Sequence, residues 1–404
     1  MSRFIKPSVG SPNYSIMTII LCWSGMAVMS SLYVTLPLIS MFADIFNITL
    51  TQAAATGSVF SLGFAMGCLI YGALSDKYGR KKVIFIGLIA LTMISLLLGM
   101  VDNFAWVLVL RGLQGAAAAT FSPVALAYAV DMFPTERRVT TIGFISTGFL
   151  IAGIVGQVIS SLISQQYGWN AVFYLLTIVY AVTTLLVLRL LPKDEVHQSY
   201  ASIWSPLKQI GTLLTQKNLI LNYIVALVLL MSFVSMYTVL GSYLSGPDFG
   251  LSTNEILFVR SIGVVGMLIS PFAGKLAKRF GVRNVLRGGL CIAIAGLASL
   301  GLFPSLPLVI GMSLIFVAGI ALAVPSLVSL ISQLGGKSRG IAVSVYTFIL
   351  FTGTSLGPIV SIYLMKWSSY LVTFLLLALV LGVGLLAACF AHRDKPEDTN
   401  ADQK

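Results

Sequence analysis

The stretch GALSDKYGRKK occupies residues 72–82, and a related stretch, GKLAKRFGVR, occupies residues 274–283. Each follows a long apolar segment and carries a cluster of basic residues. The glycines that begin the two stretches are as far apart along the chain as Pro123 and Pro325, which lie in further apolar segments. Landmarks that keep the same register in different segments indicate that the chain consists of two related halves in tandem.

The composition predicts a membrane protein. The 404 residues are 57% hydrophobic and only 9% charged, whereas soluble domains carry about 25% charged residues. A water-soluble core cannot absorb this much apolar surface, so lipid has to solvate most of the side chains.

Twelve apolar segments approach the roughly 20 residues that a helix needs to cross the hydrocarbon. They cover approximately residues 15–40, 52–71, 83–101, 105–129, 140–163, 170–190, 218–242, 254–273, 285–303, 307–332, 341–364 and 370–391. We therefore predict an all-α membrane protein with twelve transmembrane helices in two pseudo-symmetric six-helix bundles. The bundles are expected at 1–190 and 218–404, joined by a cytoplasmic linker at 191–217 in which residues 203–214 are expected to form a surface helix.

Almost all basic residues lie on one side of these spans. Lys366 falls on the other side, Arg111 and Arg260 fall within spans, and every other Lys and Arg lies on the first side. Because basic loops stay in the cytoplasm, we expect a multi-pass protein of the cell membrane with both termini cytoplasmic. The net charge of +12 thus reflects topology and does not predict nucleic-acid binding.

Neither a metal site nor a nucleotide site is predicted. The four cysteines fall inside apolar spans at no metal-ligand spacing. The string GGKS at 335–338 is similar to the end of a phosphate loop, but Ile331 stands where the first glycine is required, and the string joins two spans. We expect no enzyme, no ATP-driven pump and no cofactor, with transport driven by an ion gradient, most simply of protons.

The two motifs of the first half resemble those of the major facilitator superfamily, and the resemblance covers essentially the whole chain. Residues 72–81 match the family's loop signature at every specified place. Arg111, Gln114 and Gly115 match its Arg-x-x-Gln-Gly signature in span four, which is typical of proton-coupled members. The resemblance implies a secondary active transporter that works by alternating access, functional as a monomer in the lipid bilayer and acting on a small-molecule substrate.

A further signature of the family, found in span five of its drug/proton antiporters, is incomplete here. Gly148 and Gly156 are present, and three other specified positions are replaced. The related segment of span eleven is better preserved, as Gly353, Gly357 and Pro358. We expect these small residues to pack helices closely and the chain to resemble the twelve-span drug/proton antiporters.

The resemblance also assigns a conformational latch to the first basic stretch. Asp76 is expected to face the start of span eleven, where a helix N-terminus favours negative charge. Arg80 is expected to pair with Asp131 at the end of span four. Gly79 would permit the tight turn that Arg80 requires, and Gly72 begins the motif.

Two arginines lie inside spans, where a charge is costly and usually functional. Arg111 shares one helix face with Gln114, which predicts a polar stripe facing a central cavity. Arg260 is either near the surface or a second cavity cation. No Asp or Glu lies in the middle of any span. Either Asp44, near the outer end of span one, carries the proton opposite Arg111, or the coupling differs.

The expected function is proton-coupled export of small organic compounds or drugs. The alternative is a carrier for a small organic anion that uses Arg111 and Arg260, because guanidinium pairs well with carboxylate and phosphate. Candidates to line the substrate cavity are Tyr33, Gln157, Tyr237, Arg260 and Tyr346.

Overall fold

The computed structural model describes residues 13–194, 210–302 and 305–391. The first half contains α1 Tyr14–Tyr33, α2 Ile39–Phe46, α3 Leu50–Tyr78, α4 Arg80–Met100, α5 Phe104–Ala118, α6 Ser122–Met132, α7 Thr135–Tyr167 and α8 Trp169–Leu190. The second half contains α9 Lys217–Ser245, α10 Thr253–Met267, α11 Ala273–Phe280, α12 Val282–Ser299, α13 Leu306–Leu334, α14 Arg339–Trp367 and α15 Tyr370–Phe390.

Twelve stretches of the described chain are helical, long and apolar enough to cross a membrane. The pairs α5–α6 and α10–α11 each form one interrupted span, and α2 is too short to span. The predicted all-α fold with six spans in each half is therefore confirmed. Residues 195–209, which hold most of the predicted linker and much of the predicted surface helix at 203–214, lie outside the described residues.

The same pairs of spans pack together in both halves. The first span lies along the fifth, as α1 on α7, and the seventh lies along the eleventh, as α9 on α14. The glycines predicted to pack are at these contacts: Gly148 and Gly156 lie against the backbone of α1, and Gly353 and Gly357 lie against that of α9. A side chain at any of them would meet backbone atoms of the facing helix, so the close approach depends on glycine.

Span one is shorter than predicted. Helix α1 ends at Tyr33, and a turn with a hydrogen bond from Leu36 N–H to the Tyr33 carbonyl leads into α2. Pro37 explains the break, because it lacks an N–H and disfavours helix in the residue before it. Asp44 consequently lies on the separate helix α2.

Span four is interrupted where one continuous helix was predicted. Residues 119–121 form a tight turn, with hydrogen bonds from Thr120 N–H to the Ala117 carbonyl and from Phe121 N–H to the Ala118 carbonyl. Pro123 then occupies the first turn of α6, a position where its missing N–H is harmless.

The face of the molecule that carries the turns at residues 79, 133–134, 281 and 335–338 is called here the basic face. On this face α3 of the first half contacts α14 of the second, and α7 contacts α11. Further from it, Phe64 meets Phe351 edge to face at 4.6 Å between ring centroids, and Thr147 Oγ1 donates to the Met267 carbonyl at 3.3 Å. The two halves are therefore in contact from the basic face towards the middle of the molecule.

Candidate functional site

An ionic cluster joins the two halves at the basic face. Arg80 contacts Asp76 at 2.7 Å and Asp131 at 2.5 Å, and Arg339 of the second half contacts the other oxygen of Asp131 at 2.6 Å. The Arg80–Asp131 contact is the one expected from sequence. Asp131 forms an ion pair with one arginine of each half, and the pair with Arg339 crosses the boundary between the halves. We call Asp76, Arg80, Asp131 and Arg339 the ionic junction.

Asp76 also faces the start of span eleven, as the resemblance implied. Its carboxylate lies against Gly340, the second residue of α14, where an added Cβ would come within 2.5 Å of Oδ2. Burial raises the pKa of Asp76 above its ordinary value, with the neighbouring Asp131 charge adding to the rise, although Arg80 and Arg339 act in the opposite direction. The neutral form of the Asp76 carboxyl is therefore less disfavoured here than it is in water.

The backbone around Arg80 explains why the sequence needs two glycines there. Gly79 has φ +93°, the region that favours glycine, and it turns the chain from α3 into α4. Gly72 lies against the side chain of Ser344 and the carbonyl of Gly340 in α14, so a larger residue would separate the two helices.

Sequence reasoning missed Arg339 and Asp194. Arg339 was counted only as a cytoplasmic basic residue, although its place as the first residue of span eleven, beside the expected partner of Asp76, was a usable signal. Asp194 accepts hydrogen bonds from the N–H groups of Arg80, at 2.5 Å, and Lys81, at 3.1 Å. It satisfies unpaired donors at the N-terminus of α4, a contact over 113 residues that no local pattern reveals.

The second basic stretch forms a different contact, which we call the glycine junction, made by Gly274 and Pro271 with Thr140 and Gly143. Gly274 of α11 lies against Thr140 of α7, and Gly143 of α7 lies against the backbone of Ser270 and Pro271. Among the described residues, no ion pair joins the halves at this contact.

A cavity of about 310 Å³ lies between the two halves. Helices α1 and α7 form one wall, and α9, α10, α13 and α14 form the other. The lining is mainly apolar, with Phe149, Phe233 and Phe351 as aromatic contributions. These phenylalanines were not predicted, because an apolar helix does not show which of its aromatic residues face a cavity and which face lipid.

Four of the five predicted cavity residues line this cavity: Tyr33, Gln157, Tyr237 and Arg260. The fifth, Tyr346, is only 1% exposed and lies in the core, so its prediction as a lining residue was wrong. Pro358, predicted to pack helices, also lines the cavity. For Arg260 the structure decides between the two alternatives, since it is a cavity cation and not a surface residue.

Arg111 does not face the cavity, contrary to expectation. It is 0% exposed inside the first half, with its guanidinium carbon 4.4 Å from the centroid of the Phe60 ring. It donates to Gln114 Oε1 at 2.5 Å and to the Thr56 carbonyl at 3.4 Å. The polar stripe exists, but its partners on α3 and α4 enclose it, including Ser95, which accepts from Gln114 Nε2 at 2.8 Å.

Gly115 belongs to the same enclosed region, because a side chain there would collide with the backbone of Phe60. The predicted pairing of Asp44 with Arg111 is absent. Asp44 is exposed on α2, and no carboxylate of the described chain lies within ion-pair distance of Arg111. The break in span one after Tyr33 is the physical reason, because it carries Asp44 away from the bundle interior.

Two halves of six spans, packed around one cavity and in contact with each other on one face, form the architecture of a membrane transporter. The chain belongs to the Major Facilitator Superfamily, whose family description matches residues 21–338 and 248–404. It is a membrane transporter of that family.

Relatives of similar length support this assignment. The chain is 26% identical to an uncharacterized transporter of Buchnera aphidicola subsp. Baizongia pistaciae (strain Bp), over 93% of this chain and 95% of the relative. It is 25% identical to the uncharacterized MFS-type transporter YybF of Bacillus subtilis (strain 168), over 96% and 97%. It is 26% identical to the multidrug resistance protein MdtG of Serratia proteamaculans (strain 568), over 64% of this chain and 65% of that protein.

Proposed function

We propose that this transporter exports small amphipathic organic compounds across the cell membrane in exchange for protons. The observation that carries the proposal is the cavity between the halves, whose volume of about 310 Å³ falls at the lower end of the range for small-molecule sites. Its aromatic and aliphatic lining suits compounds with an apolar body. The name of the relative MdtG, a multidrug resistance protein, supports export of this kind of compound.

The charge pattern supports an orientation of the protein in the membrane. The positive-inside rule assigns the basic face and both termini to the cytoplasm. The ionic junction then holds the cytoplasmic side closed, and the cavity lies on its outer side. We propose that this arrangement is the outward-facing half of the cycle of a monomer.

Coupling to protons is supported by the Arg111–Gln114–Gly115 motif, which resembles that of proton-coupled members of the family. In this chain the motif links α5 to α3 and α4 inside the first half. It therefore acts on how the spans of that half pack, and not by contact with the substrate. A gradient can drive such transport, because one charge crossing 100 mV supplies about 2.3 kcal/mol.

A substrate panel in proteoliposomes under an imposed pH gradient tests this proposal. The panel contains neutral, cationic and anionic amphipaths, and flux is measured with and without an uncoupler. We expect flux that collapses with the uncoupler and is lost in Arg111→Gln, while Lys366→Gln, at an exposed charge, serves as the matched control. Flux that persists without any ion gradient would overturn proton coupling.

A further inference from the structure

Among the described residues that line the cavity, Arg260 is the only charged one. No described carboxylate lies within ion-pair distance of it. An arginine keeps its proton at working pH, so the cavity carries one uncompensated positive charge. A charge that is partly removed from water is costly unless an opposite charge or hydrogen-bond acceptors compensate it.

The structure makes room for this guanidinium. Its Nη2 donates to the Tyr237 carbonyl at 2.8 Å, which fixes the side chain against α9. Gly241, one helical turn further along α9, lies directly beneath Nη2, and any side chain there would collide with it. The position of Arg260 is therefore set by a hydrogen bond and a glycine of the neighbouring helix.

Tyr237 is accommodated in the same way. Its hydroxyl lies over Gly263 of α10, where an added Cβ would collide with the oxygen. Gly263 is three residues beyond Arg260, so the hydroxyl and the guanidinium lie along one face of α10. The Tyr237 ring packs edge to face on Phe233, another lining residue, with 5.2 Å between centroids.

Two donors of this pair have no partner. The Nε–H of Arg260 and the hydroxyl of Tyr237 are buried and form no hydrogen bond within the part of the chain that the structure describes. Burying a polar atom without a hydrogen-bond partner is costly. Both atoms are closed off from the cavity in this conformation, so a carboxylate would reach them once the two side chains turn towards it. It would then remove this cost and neutralise the charge.

We propose that Arg260 and Tyr237 bind the carboxylate of an amphipathic organic acid whose apolar part lies against the phenylalanines of the cavity. This rests on the proposed transport function and names its substrate class. It modifies the two-arginine anion site expected from sequence, because Arg111 lies outside the cavity and Tyr237 supplies the second group. Arg260 and Tyr237 are thus residues that determine specificity for charge.

The experiment compares three probes that share one ring system: radiolabelled 2-naphthoate, 2-naphthalenemethanol and 2-naphthylmethylammonium. Equilibrium binding is measured to the full-length protein in lipid nanodiscs. We expect saturable binding of 2-naphthoate, weakened about tenfold or more in Arg260→Gln, since a hydrogen bond to a charged group is lost. Tyr237→Phe should weaken it by a smaller factor, and Arg260→Lys should bind more tightly than Arg260→Gln.

The neutral probe is the control for folding, because its affinity should change less than twofold in all three variants. The absence of saturable 2-naphthoate binding, or equal binding by the wild type and Arg260→Gln, would overturn the assignment. Proton-driven flux of the neutral and cationic probes alone would retain the proposed function and reject the inference. Binding of 2-naphthoate through Arg260 without proton-driven flux would do the reverse.

Discussion

The ionic junction and the glycine junction occupy equivalent places in the two halves, yet only one of them carries a charge network. Along the repeat, Asp76 corresponds to Lys278, Arg80 to Val282 and Asp131 to Gln333. The glycines survive in both, since Gly72 and Gly274 each lie against a side chain of the opposite half. Close helix contact is thus common to both junctions, and in the described chain the ion pairs occur at the ionic junction alone.

Steric fit and charge therefore have separate roles at the basic face. Helix contact through glycine sets how closely the halves approach at both places. The charges act only at the ionic junction, where Asp131 forms an ion pair with one arginine of each half. We therefore expect a substitution that disrupts the helix contact to separate the halves most strongly at the basic face. A substitution that removes a charge should separate them less.

The largest effect is expected for Gly72→Val. The new side chain would collide with Ser344, and overpacking of this kind costs about 1–3 kcal/mol, or roughly 5- to 150-fold in the closed population. Spin labels at the exposed positions Lys82 and Asn284, in a cysteine-free background, report the separation of the halves. We expect a longer distance distribution on the basic face.

Gly57→Val is the matched control on the same helix, because no atom lies within 4 Å of its added Cβ. Combining Gly72→Ala with Ser344→Gly should restore most of the closed population that Gly72→Ala loses. If Gly72→Val and Gly57→Val give the same distances, the fit at α3 and α14 does not close the face.

A smaller opening is expected for Asp131→Asn. The variant weakens the ion pair with Arg339, which crosses the halves, whereas the contact with Arg80 lies within the first half. Because the Arg339 side chain is 37% exposed, the ion pair contributes about 0.2–1 kcal/mol, and we expect up to roughly a fivefold loss of the closed population by the same distance measurement. Gln333→Ala, at the equivalent place of the second half, should change it little, and equal effects would remove the distinction between the junctions.

The charge network can be transplanted to the glycine junction. The triple variant Lys278→Asp, Val282→Arg and Gln333→Asp copies the network into the second half, where Arg137 stands at the place of Arg339. We expect a more closed basic face and severalfold slower substrate flux in proteoliposomes. Flux that is as fast as that of the wild type, with the face unchanged, would show that the network depends on the surroundings of the first half.

The spans, the two halves and part of the ionic junction could be predicted from the sequence, because their signals are local. Apolar length gave the twelve spans, and the repeat gave the two halves. The glycines at 148, 156, 353 and 357 lie at helix contacts because spacing on a helix places them on one face. The Arg80–Asp131 pair was also accessible, since both residues end neighbouring spans on the same face.

The remaining features depended on three-dimensional detail. Asp44 failed as a partner of Arg111 because a proline breaks span one, and the direction of the chain after the break is not a local property. The polar stripe that contains Arg111 would look the same in the sequence whether it faced a cavity or lay enclosed within one half. Only the packing of α3 and α4 around it shows that it is enclosed. Arg260 and Tyr237 were candidates, but the glycines that accommodate them lie on the facing helix.

The smallest effect concerns pH. Burial raises the pKa of Asp76 in the closed junction, whereas in a separated face the same carboxyl is in water and has its ordinary pKa. The closed state therefore binds the proton more tightly, and it gains stability relative to the open state as pH falls through the raised value. The gain ends below the ordinary value of 3.8, where both states are protonated.

We expect the distance distribution between positions 82 and 284 to shift modestly towards the closed form on acidification, and Asp76→Asn to abolish that shift. A shift that survives in Asp76→Asn would assign the proton to another group, and a shift towards the open form would mean that the ion pair with Arg80 outweighs burial. In the glycine junction Lys278 replaces the acid, so the response to acid should belong to the first half alone.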